Sequence, residues 1–135
     1  MRREFQMPAR DVEFLTVAGR DWETLRQNGQ PGGWLLIHGF PAPAGYNHSQ
    51  LIVALQITAS YDTTEIDMAY VFPALSRLDG KGIPNLASLN IDGRTFQRWS
   101  RHRTSANRWR PGIDYVGTHL ALVESWFERE FIIRP

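Results

Sequence analysis

The chain has no cysteine among its 135 residues. That excludes disulfide cross-links, thiolate metal sites and any cysteine nucleophile. Lysine is nearly missing as well: Lys81 stands alone, and arginine supplies the rest of the positive charge. Arginine serves planar, stacked and bidentate contacts more than plain solubility. Neither sign of charge dominates, the formal balance being +1. No global field therefore draws in nucleic acid or an anionic membrane surface. No apolar run approaches the length of a membrane span. The opening MRREFQMPARDVEF has none of the apolar core of a secretory signal. The expectation is a cytoplasmic protein that neither crosses nor binds a membrane.

What is present suits one packed domain over residues 1–135, with its core within about residues 11–131. Hydrophobic residues make up 42%, with five Trp and seven Phe, enough to fill a core at this length. PARDVEFLTVA (8–18) predicts a short helix. Pro8 suits a first turn, Val12, Leu15 and Val17 or Ala18 form an apolar side, and Gly19 can stop it. DWETLRQ (21–27) reads as a strand, NGQPGG (28–33) as turn chemistry, and WLLIHGF (34–40) as a buried strand. PAPAGY follows as a stiff, extended loop. QLIVALQIT (50–58) alternates cleanly, with Leu51, Val53, Leu55 and Ile57 on one side. SYDTTEID reads as a loop, and MAYVF (68–72) as a strand ended by Pro73.

From 74 to 112 no period stands out, so a long irregular stretch is expected there, of the kind that carries function. The end is an amphipathic helix of about five turns within GIDYVGTHLALVESWFEREF. Ile113, Val116, Leu120, Val123 and Phe127 form its apolar side, and Asp114 is the expected N-cap. The fold class is α+β: an antiparallel four-stranded meander with a short N-terminal helix and a long C-terminal one.

The segment GRTFQRWSRHRTSANRWRPG (93–112) concentrates the chemistry, with six arginines, two tryptophans, two serines and a histidine. A serine hydroxyl needs a base in hydrogen-bond reach to act as a nucleophile. His102 follows Ser100 at the i+2 spacing that shares one side of an extended chain. Arg98, Arg101 and Arg103 are placed to stabilise an oxyanion or to steer an acidic partner. Trp99 and Trp109 read as packing anchors that hold the loop in one shape. Phe96, Trp99 and Trp109 among arginines also fit base stacking in a single-strand nucleic-acid binder over 94–110. The near-neutral charge and the lack of a recognition helix or aromatic sheet motif count against that. Elsewhere, His38 reads as a satisfied histidine at the core edge, and His119 as a surface or snorkelling residue of the last helix. The acidic stretch around Asp62, Glu65 and Asp67 reads as a solvated loop. No His and carboxylate spacing suggests a metal site.

The order of elements, the loop GFPAPAGYN, the segment TFQRWSRH and the step Trp109-Arg110-Pro111 before the long helix resemble the ubiquitin-conjugating enzyme fold. They are most similar to its bacterial branch, prokaryotic family E. The resemblance implies a carrier that takes an activated ubiquitin-like modifier from an activating enzyme and passes it to an amine. It implies as partners the modifier, the activating enzyme and a deconjugating protease, with antiviral defence as a setting and no metal or organic cofactor. Family members hold the modifier as a cysteine thioester. Here the equivalent position falls at Arg101, between Ser100 and His102. Ser100 is thus the expected acyl acceptor, as an oxyester, with His102 as its base or itself acylated. The family's oxyanion-holding Asn follows a His-Pro pair. Ile83-Pro84-Asn85 resembles that step without the His, but lies farther from Ser100 than the family interval. A domain of this kind without catalysis, an adaptor that docks the modifier or its activating enzyme, is the alternative.

Overall fold

The computed structural model describes residues 1–29 and 31–135. The turn read over 28–33 includes Gln30, which lies outside the described residues. In chain order the elements are α1 (Ala9–Val17), β1 (Trp22–Arg26), β2 (Gly32–Pro41), β3 (Gln50–Thr58), β4 (Ala69–Phe72), β5 (Leu86–Ile91), β6 (Arg94–Trp99) and α2 (Val116–Ile133). The strands form one antiparallel sheet in the order β1-β2-β3-β4-β6-β5. The α+β class holds, but the sheet has six strands, not four.

The two extra strands lie within the stretch expected to be irregular. Asp92 and Gly93 join β5 to β6 with φ of 53° and 74°. Positive φ at both central residues is the turn whose twist matches a hairpin, and Asp-Gly favours it. β6 then inserts between β4 and β5, pairing Ala69 with Trp99 and Val71 with Gln97.

Both faces of the sheet are apolar. One packs on the helices: Leu35, Ile37, Val53, Leu55, Val71 and Trp99 meet Leu15 of α1 and Val116, Val123 and Phe127 of α2. This is the side to which Leu51, Val53, Leu55 and Ile57 all point, as the alternation requires. The opposite face carries a second cluster that includes Leu25, Trp34, Tyr70, Ile91 and Phe96. The Arg2 guanidinium explains how it is covered. It bonds Glu23 on β1 at 2.9 Å and Asp92 of the far hairpin turn at 2.7 Å. The two ends of the strand order are therefore close in space, and the twisted sheet curls over its own second core.

The helices differ from expectation at their ends. Val17 is 81% exposed, while Asp11 is buried. Its carboxylate accepts the Val116 N–H and the Tyr61 hydroxyl, both at 2.9 Å. Burial raises the pKa of this carboxyl against those hydrogen bonds. One of the unpaired N–H groups that open α2 is thus satisfied from α1. Asp114 is not the N-cap. Tyr115 holds that place, its N–H donating to Thr118 Oγ1 at 3.1 Å. Asp114 instead accepts the Arg110 N–H at 2.7 Å and closes the turn before the helix. That turn points Ile113 outward, 51% exposed, away from the apolar side assigned to it. The loop after β2 packs on the far end of α2. There the Tyr46 hydroxyl donates to the Phe127 carbonyl at 2.6 Å, and a Cβ on Gly45 would lie 2.6 Å from the Phe131 ring.

Candidate functional site

Ser100 is the first residue beyond β6. Its N–H donates to the Asn85 carbonyl at 3.1 Å, so the two face each other where the hairpin closes. The hairpin, residues 86–99, loops out between them. Their separation in sequence is taken up by β5, the turn and β6. Asn85 itself is exposed and left-handed, with φ of 58°. Among the described residues neither the Asn85 amide nor the Ser100 hydroxyl has a hydrogen-bond partner, and Ser100 and His102 are not bonded to each other.

The aromatic residues of the segment are held inward. Trp99 is fully buried, packs edge-on against Phe127 at 4.9 Å and donates its Nε1–H to Gln97 at 2.9 Å. Trp109 donates to the Asp62 carbonyl at 2.8 Å and packs by Tyr61. Phe96 is fully buried in the second core. Rings placed this way present no face on which bases can stack. Pro111 is exposed, at the turn that leads into α2.

The arginines divide. Arg101 donates to the Pro84 and Ser100 carbonyls at 3.1 and 3.3 Å and meets buried Glu130 of α2 at 3.4 Å. It ties the 84–85 strand entry, the 100–101 segment and the end of α2 together. The side chain of Arg103 is 8% exposed. It donates to the Asn107 carbonyl at 3.2 Å, lies over the Trp109 ring and approaches Asp114 at 3.9 Å. The Nε of Arg98 is buried without a partner among the described residues. Arg108 and Arg110 are exposed.

The model of prokaryotic E2 family E matches residues 7–130. The chain belongs to that family. Membership supports a role in ubiquitin-like conjugation, with a ubiquitin-like modifier and an activating enzyme as the implied partners. No curated protein and no solved structure matches the chain. Among the described residues of this E2-like protein, no helix is long and apolar enough to cross a membrane.

Two further side chains of this family E protein bear on the site. His102 Nδ1 lies 2.9 Å from Asp67 Oδ1, in the β3–β4 connection that reads from sequence as a solvated loop. His119 is fully buried on α2, contrary to its surface reading, and bonds the Met68 carbonyl at 2.8 Å through Nε2. Burial pushes its pKa down to about 4, so the ring is neutral and Nε2–H is the donor. No local pattern announces either contact, since His102 and Asp67 are 35 residues apart and Met68 and His119 are 51 apart.

Proposed function

We propose that this E2-like protein carries the C-terminal acyl group of a ubiquitin-like modifier as an oxyester on Ser100. The observation that supports this reading is the pairing of Ser100 with Asn85 across the end of the β5–β6 hairpin. It brings together, at the end of the hairpin, a hydroxyl and a carboxamide that have no hydrogen-bond partner among the described residues. In the reaction, Ser100 Oγ attacks the acyl carbon of a thioester or acyl adenylate and its proton passes to His102 Nε2. The tetrahedral oxyanion sits by the Asn85 amide, and the thiolate or AMP departs. His102 gives up that proton to the departing group or to solvent. A lysine amine then attacks the ester carbonyl, and His102 takes the proton the amine nitrogen sheds and passes it to Ser100 Oγ, which leaves as a hydroxyl. The hydroxyl–imidazole hydrogen bond forms when the acyl donor docks, as such bonds commonly tighten only in the substrate complex.

Arg101 and Arg103 hold the loop in shape. Exposed Arg108 and Arg110, with Arg98, provide the cationic side that an acidic partner surface meets. The modifier, its activating enzyme and a deconjugating protease acting on the products complete the system, in the cytoplasm.

The test is a reaction of the chain with the modifier, its activating enzyme and ATP, followed by hydroxide. Wild type is expected to form a hydroxide-labile adduct, Ser100→Ala none, and His102→Ala one that forms about 10²- to 10⁴-fold more slowly. An adduct that persists in Ser100→Ala and is lost in His102→Ala would move the acyl group to the imidazole. Binding of the modifier without any adduct would make the chain a docking adaptor.

A further inference from the structure

We infer that Asp67 is a positioning residue for His102, and that buried His119 fixes Asp67 in turn. The inference rests on the acyl-transfer reading above and names two residues that reading does not use. Asp67 and His102 meet at 2.9 Å with side chains 42% and 61% exposed. A pair so open to water adds little to stability. What it adds is direction. A carboxylate on Nδ1 keeps the ring proton there and leaves the Nε2 lone pair facing outward, the form a general base needs.

The carboxylate is itself held. Asp67 precedes Met68, whose backbone is left-handed at φ 57°, a costly conformation for a residue with a Cβ. The Met68 carbonyl accepts the Nε2–H of His119 at 2.8 Å. His119 is locked in the core, edge-on to Trp126 at 5.6 Å. A chain of contacts thus runs from α2 through the β3–β4 connection to the exposed imidazole of His102, two residues beyond Ser100. Nothing local in the sequence requires such an arrangement of three separate segments.

Two measurements on the full chain test this, and the first needs no acyl transfer. ¹⁵N spectra of neutral His102 are expected to show the Nδ1–H tautomer in wild type. That form should give way to Nε2–H in Asp67→Ala, an exposed substitution that leaves the core intact. Second, Asp67→Ala is expected to slow adduct formation about 10- to 100-fold, the scale for losing a group that orients a functional imidazole. The dependence on activating-enzyme concentration should stay unchanged, and Asp67→Glu should recover part of the rate. His119→Leu, if folded, should reproduce the tautomer change, while His119→Gln, which still donates to Met68, should not. An unchanged tautomer in Asp67→Ala overturns the positioning role, and an unchanged one in folded His119→Leu overturns the part given to His119. If wild type forms no adduct but the tautomer responds to Asp67, the acyl-transfer reading fails while the positioning of His102 stands.

Discussion

His119 carries the clearest pH signature of any single residue. Its pKa falls from about 6.5 in the unfolded chain to about 4 in the fold, chiefly by burial. The Met68 carbonyl, Asp67 and Asp114 oppose that fall, and the Arg103 charge assists it. Between those values the unfolded state binds more protons, so stability rises with pH across the window. It is fully present above about 6.5 and is lost as pH falls toward 4, by on the order of 3 kcal/mol. Urea unfolding at stepped pH should show this slope in wild type and lose it in His119→Gln. Single residues are also where the sequence was least explicit. Ser100 and His102 stand two apart in a segment whose composition draws attention. Asp67 and His119 do not, because their partners lie in other segments and only the folded sheet brings them near. The burial of His119 is hidden for a similar reason. Its helical spacing places it next to Leu120 but does not show that the β3–β4 connection covers that side.

At the level of elements, the strands that alternate apolar residues were legible, and so was α2 along most of its length. The β5–β6 hairpin was not. RTFQRW interleaves arginines with its aromatics, since Arg94, Phe96 and Arg98 share a face and the Arg94 guanidinium lies over the Phe72 ring. The turn was written more openly, as Asp-Gly between two runs of strand length. Its geometry makes a direct prediction. Gly93 sits at φ +74° with open space around a would-be Cβ, so Gly93→Val meets no neighbouring atom and its cost is the strain of a β-branched residue in left-handed backbone. It should cost about 1–2 kcal/mol in chemical denaturation and, by loosening the hairpin that returns Ser100 to Asn85, slow the adduct as well. The start of α2 gives a second prediction. Asp11→Ala leaves the buried Val116 N–H and Tyr61 hydroxyl without their acceptor, and should lower stability by about 1–3 kcal/mol. Asp11 was invisible as a cap because it lies 105 residues from the N–H it serves.

The whole molecule is a sheet with two cores, closed by Arg2 on one side and by both helices on the other. The site stands at the end of the inserted hairpin, where Asn85, Ser100 and Arg101 are fixed by backbone and ion-pair contacts to α2. The general architecture and the family could be read from the order of elements and the tryptophan–proline step. The added strands were masked by their interleaved arginines, and the closure of the sheet could not be read because it depends on contacts of Arg2 with Glu23 and with Asp92 in the middle of the chain. The proposal that such a frame carries an acyl group on a serine hydroxyl, without cysteine chemistry, is the claim to test first. The most direct measurement is the intact mass of the chain after incubation with the modifier, its activating enzyme and ATP, with peptide mapping of any product. The expected result is a gain equal to the modifier less one water, mapped to Ser100. An unchanged mass, with modifier or activating enzyme bound, would contradict it.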